Sequence, residues 1–159
     1  MKPIKALLAV ALTVTLSGPA LASHYRLPVE NLVTDTEATA FGKAGIQTTQ
    51  ALLEQIAKVD ARQKLAAKSG LTFARLSALA AQVDLLRIEG VGPSMVRLLQ
   101  AAGVHHTRDL KGASPSDLRD KMKVANDVQQ IAPVLPQEDV LRDWIAQASR
   151  LSQVVEGLQ

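Results

Sequence analysis

The stretch Leu85-Leu86-Arg87-Ile88-Glu89-Gly90-Val91-Gly92-Pro93-Ser94-Met95-Val96-Arg97-Leu98-Leu99 decides how this chain is built. One helical pattern ends at Leu86 and another begins at Met95, with little more than a Gly-x-Gly turn between them. Gly90 and Gly92 permit positive φ and close approach of a neighbouring group, and Pro93 presets the φ of a first helical turn. The stretch is therefore predicted to be a helix end, a tight bend and a new helix.

Helical spacing continues on both sides. Leu76, Leu79, Val83 and Leu86 form a stripe upstream, and Met95, Leu98, Leu99 and Ala102 form one downstream. A third stripe, Val140, Leu141, Trp144, Ile145, Ala148, Leu151 and Val155, predicts a closing amphipathic helix from Gln137 to about Val155. Each such face has to be buried against another element, so Trp144 is expected in the core. No run alternates apolar and polar residues with β-branched or aromatic enrichment, and the expected fold class is all-α.

Start and stop signals agree. Thr34-Asp35-Thr36-Glu37 has the form of a capping box, and Thr72 can cap a long helix to about Leu86, with Leu71 and Leu76 as its hydrophobic staple. Ser114-Pro115-Ser116-Asp117 orders a cap, a first-turn proline and an acid as a helix start prefers. Gly45, Gly70 and Gly103 stand where left-handed residues would end helices.

Two segments resemble each other at a spacing of 58 residues: Lys43-Ala44-Gly45-Ile46 pairs with Ala101-Ala102-Gly103-Val104, and Thr49 and Leu52 pair with Thr107 and Leu110. After one deletion, Arg62, Lys64 and Leu65 pair with Arg119, Lys121 and Met122. A duplicated helical unit is expected, joined by the helix from about Thr72 to Leu86.

The first residues read as an address. A basic start at Lys2 and Lys5, an uncharged run from Ala6 to Leu16 and a small-residue stretch ending Ala20-Leu21-Ala22 have the order of a secretory signal peptide over 1–22. Cleavage is expected after Ala22, with secretion or delivery to the periplasm; the apolar run is shorter than the about 20 residues a membrane span needs. The mature chain then divides into a hairpin domain over 23–126 and a linker with the C-terminal helix over 127–159. Ile131-Ala132-Pro133-Val134-Leu135-Pro136 is the connection, which its prolines keep from being helical throughout. A mature chain of this size should bury about two-thirds of its unfolded surface, so the last helix is expected to dock back.

The Arg87-Ile88-Glu89-Gly90-Val91-Gly92-Pro93 turn, followed by Leu98-Leu99-Gln100-Ala101-Ala102-Gly103-Val104, resembles the helix-hairpin-helix superfamily. It is most similar to a tandem bacterial branch carried as a domain of unknown function, DUF4332-like, and the resemblance covers about residues 25–126. What it implies is a hairpin whose main-chain N–H groups face a nucleic-acid phosphate, helped by the helix dipole. By that resemblance Gly90, Val91 and Gly92 would be the cradle, Ser94 a hydroxyl contact and Arg97 the nearest cation. The earlier hairpin has Leu32-Val33-Thr34 in place of Gly90-Val91-Gly92, and Ser94 stands where DNA-binding hairpins often carry lysine.

Composition narrows the functions. Of 159 residues 47% are hydrophobic, and none is cysteine, which removes disulfides, thiolate metal sites and Cys nucleophiles. Four aromatic side chains, Tyr25, Phe41, Phe73 and Trp144, are too few for a base-stacking platform. Loss of Lys2 and Lys5 leaves 16 basic against 15 acidic side chains, a mature formal charge of +1, which does not favour nucleic acid as the partner. The cluster Arg108, Lys111, Arg119, Lys121 and Lys123 is interleaved with Asp109, Asp117 and Asp120 and reads as a mixed solvated face. His105-His106 reads as a solvated loop pair without a third ligand, and no nucleophile elbow or phosphate loop is present. The expectation is a non-catalytic binding or scaffolding module without cofactor or metal. Its partner would be an unknown envelope protein or a second copy; weak, sequence-independent binding of a phosphate backbone at Gly90 to Arg97 is the alternative.

Overall fold

Residues 24–158 are described by a computed structural model, and the expected signal peptide lies outside them. Helix starts follow the local chemistry. Thr34 opens α1 (Asp35–Lys43): its Oγ1 accepts from the Glu37 N–H at 3.3 Å while its own N–H donates to Glu37 Oε2 at 2.9 Å, the predicted capping box. Thr48 caps α2 (Thr49–Ile56), and α3 (Val59–Ser69) ends at a left-handed Gly70. Thr72 caps α4 (Phe73–Leu85) through the Arg75 N–H, and Pro93 is the first residue of α5 (Pro93–Ala101). A single turn, α6 (Thr107–Leu110), precedes α7 (Pro115–Gln129), capped by Ser114, and α8 (Glu138–Arg150) closes the helical part. Among the described residues only isolated bridges, Arg26 with Thr48 and Val29 with Val33, have strand-like pairing, so the chain is all-α.

The segments paired at a spacing of 58 residues take the same hydrogen-bonded form. After α1, Ala44 and Ile46 N–H donate to Phe41 O, and Gly45 N–H donates to Gly42 O. After α5, Ala102 and Val104 N–H donate to Leu99 O, and Gly103 N–H donates to Gln100 O. Gly45 and Gly103 take φ of 79° and 88°. Phe41 and Leu99, Ile46 and Val104, Leu52 and Leu110 are buried in matching places. The pair Thr49 and Thr107 is buried as well but anchored differently. Thr49 exchanges bonds with the Tyr25 backbone, whereas Thr107 N–H and Oγ1 donate to Asp84 Oδ2 at 3.0 and 2.7 Å.

A single apolar cluster holds all of this together, from Val29 through Leu76, Leu79, Val91 and Leu99 to Leu141, Trp144 and Ala148. Each fully buried Leu, Ile or Phe contributes about 1.5–3 kcal/mol before chain entropy is counted. The last helix does dock: Leu141, Trp144 and Ala148 face inward, against α6 and α7.

Two expected boundaries move. α7 runs through 126 to Gln129, and Asn126 then clamps the proline-punctuated connection, its side chain exchanging two 2.8 Å bonds with the Ala132 backbone. α8 stops at Arg150 rather than near Val155. Beyond it the backbone is extended, and cations from elsewhere take its carbonyls: Lys111 Nζ donates to Leu151 O, Arg87 Nη1 to Ser152 O and Arg108 Nη2 to Leu158 O. Val155 is buried, but from this returning tail and not from a helical stripe.

Candidate functional site

The α4–α5 bend is the site the sequence nominates. Leu85 and Leu86 are buried, and the chain turns through Ile88 and Glu89 to Gly90, at φ 86°. Val91 N–H donates back to Ile88 O at 3.1 Å and its side chain is fully buried, so this donor is already used inside the turn. Gly92 is the residue before α5, at φ −92° and ψ 176°, extended backbone that any residue adopts. Of the two glycines, only Gly90 needs the left-handed region.

What surrounds Gly90 explains the rest of its requirement. A Cβ there would lie 3.1 Å from Trp144 Nε1, so the indole of α8 rests against the bend. Gln147 of the same helix accepts from Glu89 N–H at 2.8 Å and donates to Glu89 O. A Cβ on Gly92 would stand 3.6 Å from the Tyr25 hydroxyl, an ordinary contact. The bend is thus packed by α8 on one side and by the N-terminal segment on the other.

No side chain caps α5, and the N–H groups of Gly92, Ser94 and Met95 have no acceptor among the described residues. Ser94 is exposed and Arg97 half-buried. The other cations are engaged or placed elsewhere. Arg87 pairs with Asp84 at 2.7 Å and Lys123 with Asp127 at 2.6 Å. Lys111 and Lys121 line a groove with Asp109 and Asp117 beside Ala102 and Gly103, at the opposite end of α5 from Gly92. In the earlier bend Asn31, one residue before the position equivalent to Gly90, is left-handed at φ 61°, so the chain turns there without the glycines.

His105 and His106 are not both solvated, as the sequence suggested. His106 is buried, with Nδ1 3.0 Å from Asp109 Oδ1 and Nε2 3.0 Å from Arg108 Nη2, while His105 is exposed. Among the described residues no three His, Asp or Glu side chains gather as metal ligands.

Among the described residues two groups have shifted titration, and neither lies at the bend. Hydrogen bonds from Arg75 hold the Glu37 carboxyl below the usual carboxylate range. Arg75 grips it with Nε to Oε1 at 2.6 Å and Nη2 to Oε2 at 3.0 Å, and Nη2 also donates to Leu32 O at 2.6 Å. Burial lowers the pKa of the Arg62 guanidinium from its ordinary value. Fully enclosed, Arg62 donates to Ile56 O, Ala57 O and Glu156 O and sits 5.5 Å from the Phe73 ring centre.

Sequence reasoning passed over a second feature, an open groove of about 530 Å³ between the end of α1 and the length of α3. Lys43, Lys64 and Lys68 line it without an acidic neighbour in the lining. The i,i+4 spacing of Lys64 and Lys68 was visible; that Lys43 joins them is a product of the fold.

Comparison with known families adds one result: the domain of unknown function DUF4332 matches residues 31–151. The chain belongs to this family. The DUF4332 match runs past 126 and takes in α8, so the helix that packs on the glycine bend is part of the family's own domain. No curated protein and no solved structure matches the chain. No helix among the described residues is long and apolar enough to cross a membrane.

Proposed function

We propose that this DUF4332 chain is an exported, non-catalytic binding or scaffolding module that docks on a protein of the cell envelope or on a second copy of itself. Of the C-terminal apolar stripe, Leu141, Trp144, Ala148 and Val155 are occupied inside the molecule, and Val140 is left outside. The observation that carries the reading is a different surface. Of the five large apolar side chains exposed among the described residues, four are valines within one short stretch: Val124 and Val128 on α7, Val134 in the connection and Val140 at the start of α8. Val124 and Val128 are one helical turn apart and so share a face, which supplies the start of an apolar surface on which a protein partner could dock. A mature charge near zero agrees with a protein partner over a polyanion.

The test uses chain beginning at Ser23. Cross-linking in an envelope fraction and sizing at high concentration should show a complex or an oligomer, and Val124→Asp with Val128→Asp should abolish it while leaving the helical circular dichroism unchanged. A wild-type monomer that captures nothing would end this reading. Export has its own check: protein recovered from the periplasm should begin at Ser23, and material retaining residues 1–22 would contradict it.

One observation favours a second reading, in which the α4–α5 bend is a helix-hairpin-helix that meets a nucleic-acid phosphate. The uncapped start of α5 leaves the Gly92, Ser94 and Met95 N–H groups without acceptors, as an anion site at a helix N-terminus requires. A duplex titration decides it. Binding should weaken steeply with salt and drop in Arg97→Ala; no binding, or binding indifferent to salt, removes it.

A further inference from the structure

We infer that the groove lined by Lys43, Lys64 and Lys68 receives an extended acidic peptide segment of the partner protein. The inference rests on the binding-module reading and gives its partner a chemistry. Three exposed ammonium groups stand over a floor that includes Ala40, Ile46 and Leu65, and none of the three has an ion pair or hydrogen bond among the described residues.

The second half of the molecule shows that the fold does not require these charges. In the paired register Lys43 corresponds to Ala101, Lys64 to Lys121 and Lys68 to Ala125. The equivalent groove there, about 400 Å³ beside Ala102, Val104 and Leu118, carries Asp109 and Asp117 in its lining together with Lys111 and Lys121. One scaffold thus carries a groove lined by charges of both signs and one whose charged lining is lysine alone. Lysines in the last turns of α1 and α3 also complement the helix dipoles, but α5 ends without a basic residue in that place and folds in the same form.

Geometry selects the ligand. The lining runs along α3 from Ala61 to Ser69, a length of about 12 Å at 1.5 Å per residue, and Lys64 and Lys68 are separated by about 6 Å along the axis. Acidic side chains at alternate positions of an extended peptide repeat at about 6.8 Å, so they can meet successive lysines while the residues between them lie on the apolar floor. A compact phosphate fits less well. It would neutralise one end of a charge that is spread over three lysines.

The probe is a short labelled peptide of alternating glutamate and valine, titrated into the chain beginning at Ser23 by fluorescence anisotropy at low salt. Saturable binding is expected, falling as salt rises and weakened roughly tenfold in Lys43→Ala/Lys64→Gln/Lys68→Ala, the combined effect of three exposed ion pairs. Two of those changes install residues the second unit already uses, and thermal melts confirm that the variant is folded. Lys111→Ala/Lys121→Ala should bind as wild type. Absence of binding, equal binding by the triple variant, an equal loss in the Lys111/Lys121 variant, or displacement of the peptide by lower concentrations of inorganic tripolyphosphate would each overturn the inference. If the triple variant still forms the envelope complex of the wild-type chain, the groove reading falls and the binding-module reading stands.

Discussion

At Glu37 a local signal and a distant one meet. Its carboxylate closes the cap of α1 and is held by Arg75 from α4, so one side chain fixes a helix start and ties two elements together. Because Arg75 depresses the folded-state pKa, the stabilisation is fully present above the unfolded value of about 4.3 and is lost as pH falls through the lower folded value. Denaturant titrations from neutral pH downward should show this loss in the wild type below about pH 4.3 and a smaller one in Glu37→Gln. At neutral pH the same variant should be less stable by about 1–3 kcal/mol, the worth of hydrogen bonds to a charged group. The Thr34 and Glu37 pairing was legible because it spans a few residues of sequence; Arg75, far along the chain, was not. Arg62 is a similar case: its register with Arg119 was visible, but its complete burial was not.

At the scale of elements, the bends at Gly90 and Gly103 make a controlled comparison. Both residues have positive φ, but a Cβ on Gly103 meets nothing within 4 Å whereas one on Gly90 meets Trp144. Gly103→Ala should therefore cost only the backbone strain, about 1 kcal/mol, and Gly90→Ala about 1–3 kcal/mol more as α8 is pushed off the bend. Equal losses in urea unfolding would show that the indole gives way freely. Helix starts at Thr34, Thr72 and Ser114 and stops at Gly45, Gly70 and Gly103 could be read from the sequence, since caps and left-handed residues act within a turn. The end of α8 could not. Leu151 and Val155 keep the helical spacing, yet the backbone leaves the helix because Lys111, Arg87 and Arg108 bind the carbonyls of an extended tail.

For the whole molecule, Trp144 carries the greatest consequence, since it belongs to the common core and also covers the bend. Trp144→Ala should destabilise by about 3–5 kcal/mol, read from the unfolding midpoint. Ending the chain at Pro136 should abolish the cooperative transition, and a truncated chain that melts as sharply as the full one would show α8 to be an accessory. The all-α class and the docking of the last helix followed from apolar spacing and chain length. The cationic groove did not, because Lys43 and Lys64 converge only once α1 and α3 are packed. Nor did the tail's destination: Glu156 O accepts from Arg62 and Glu156 N–H donates to Ala57 O, a junction bridging 94 residues of sequence.

That junction makes the corner between α2 and α3 depend on the tail. The enclosed guanidinium of Arg62 loses one of its three acceptors whenever the tail is displaced, so loosening at Glu156 is felt at the Ile56 and Ala57 carbonyls as well.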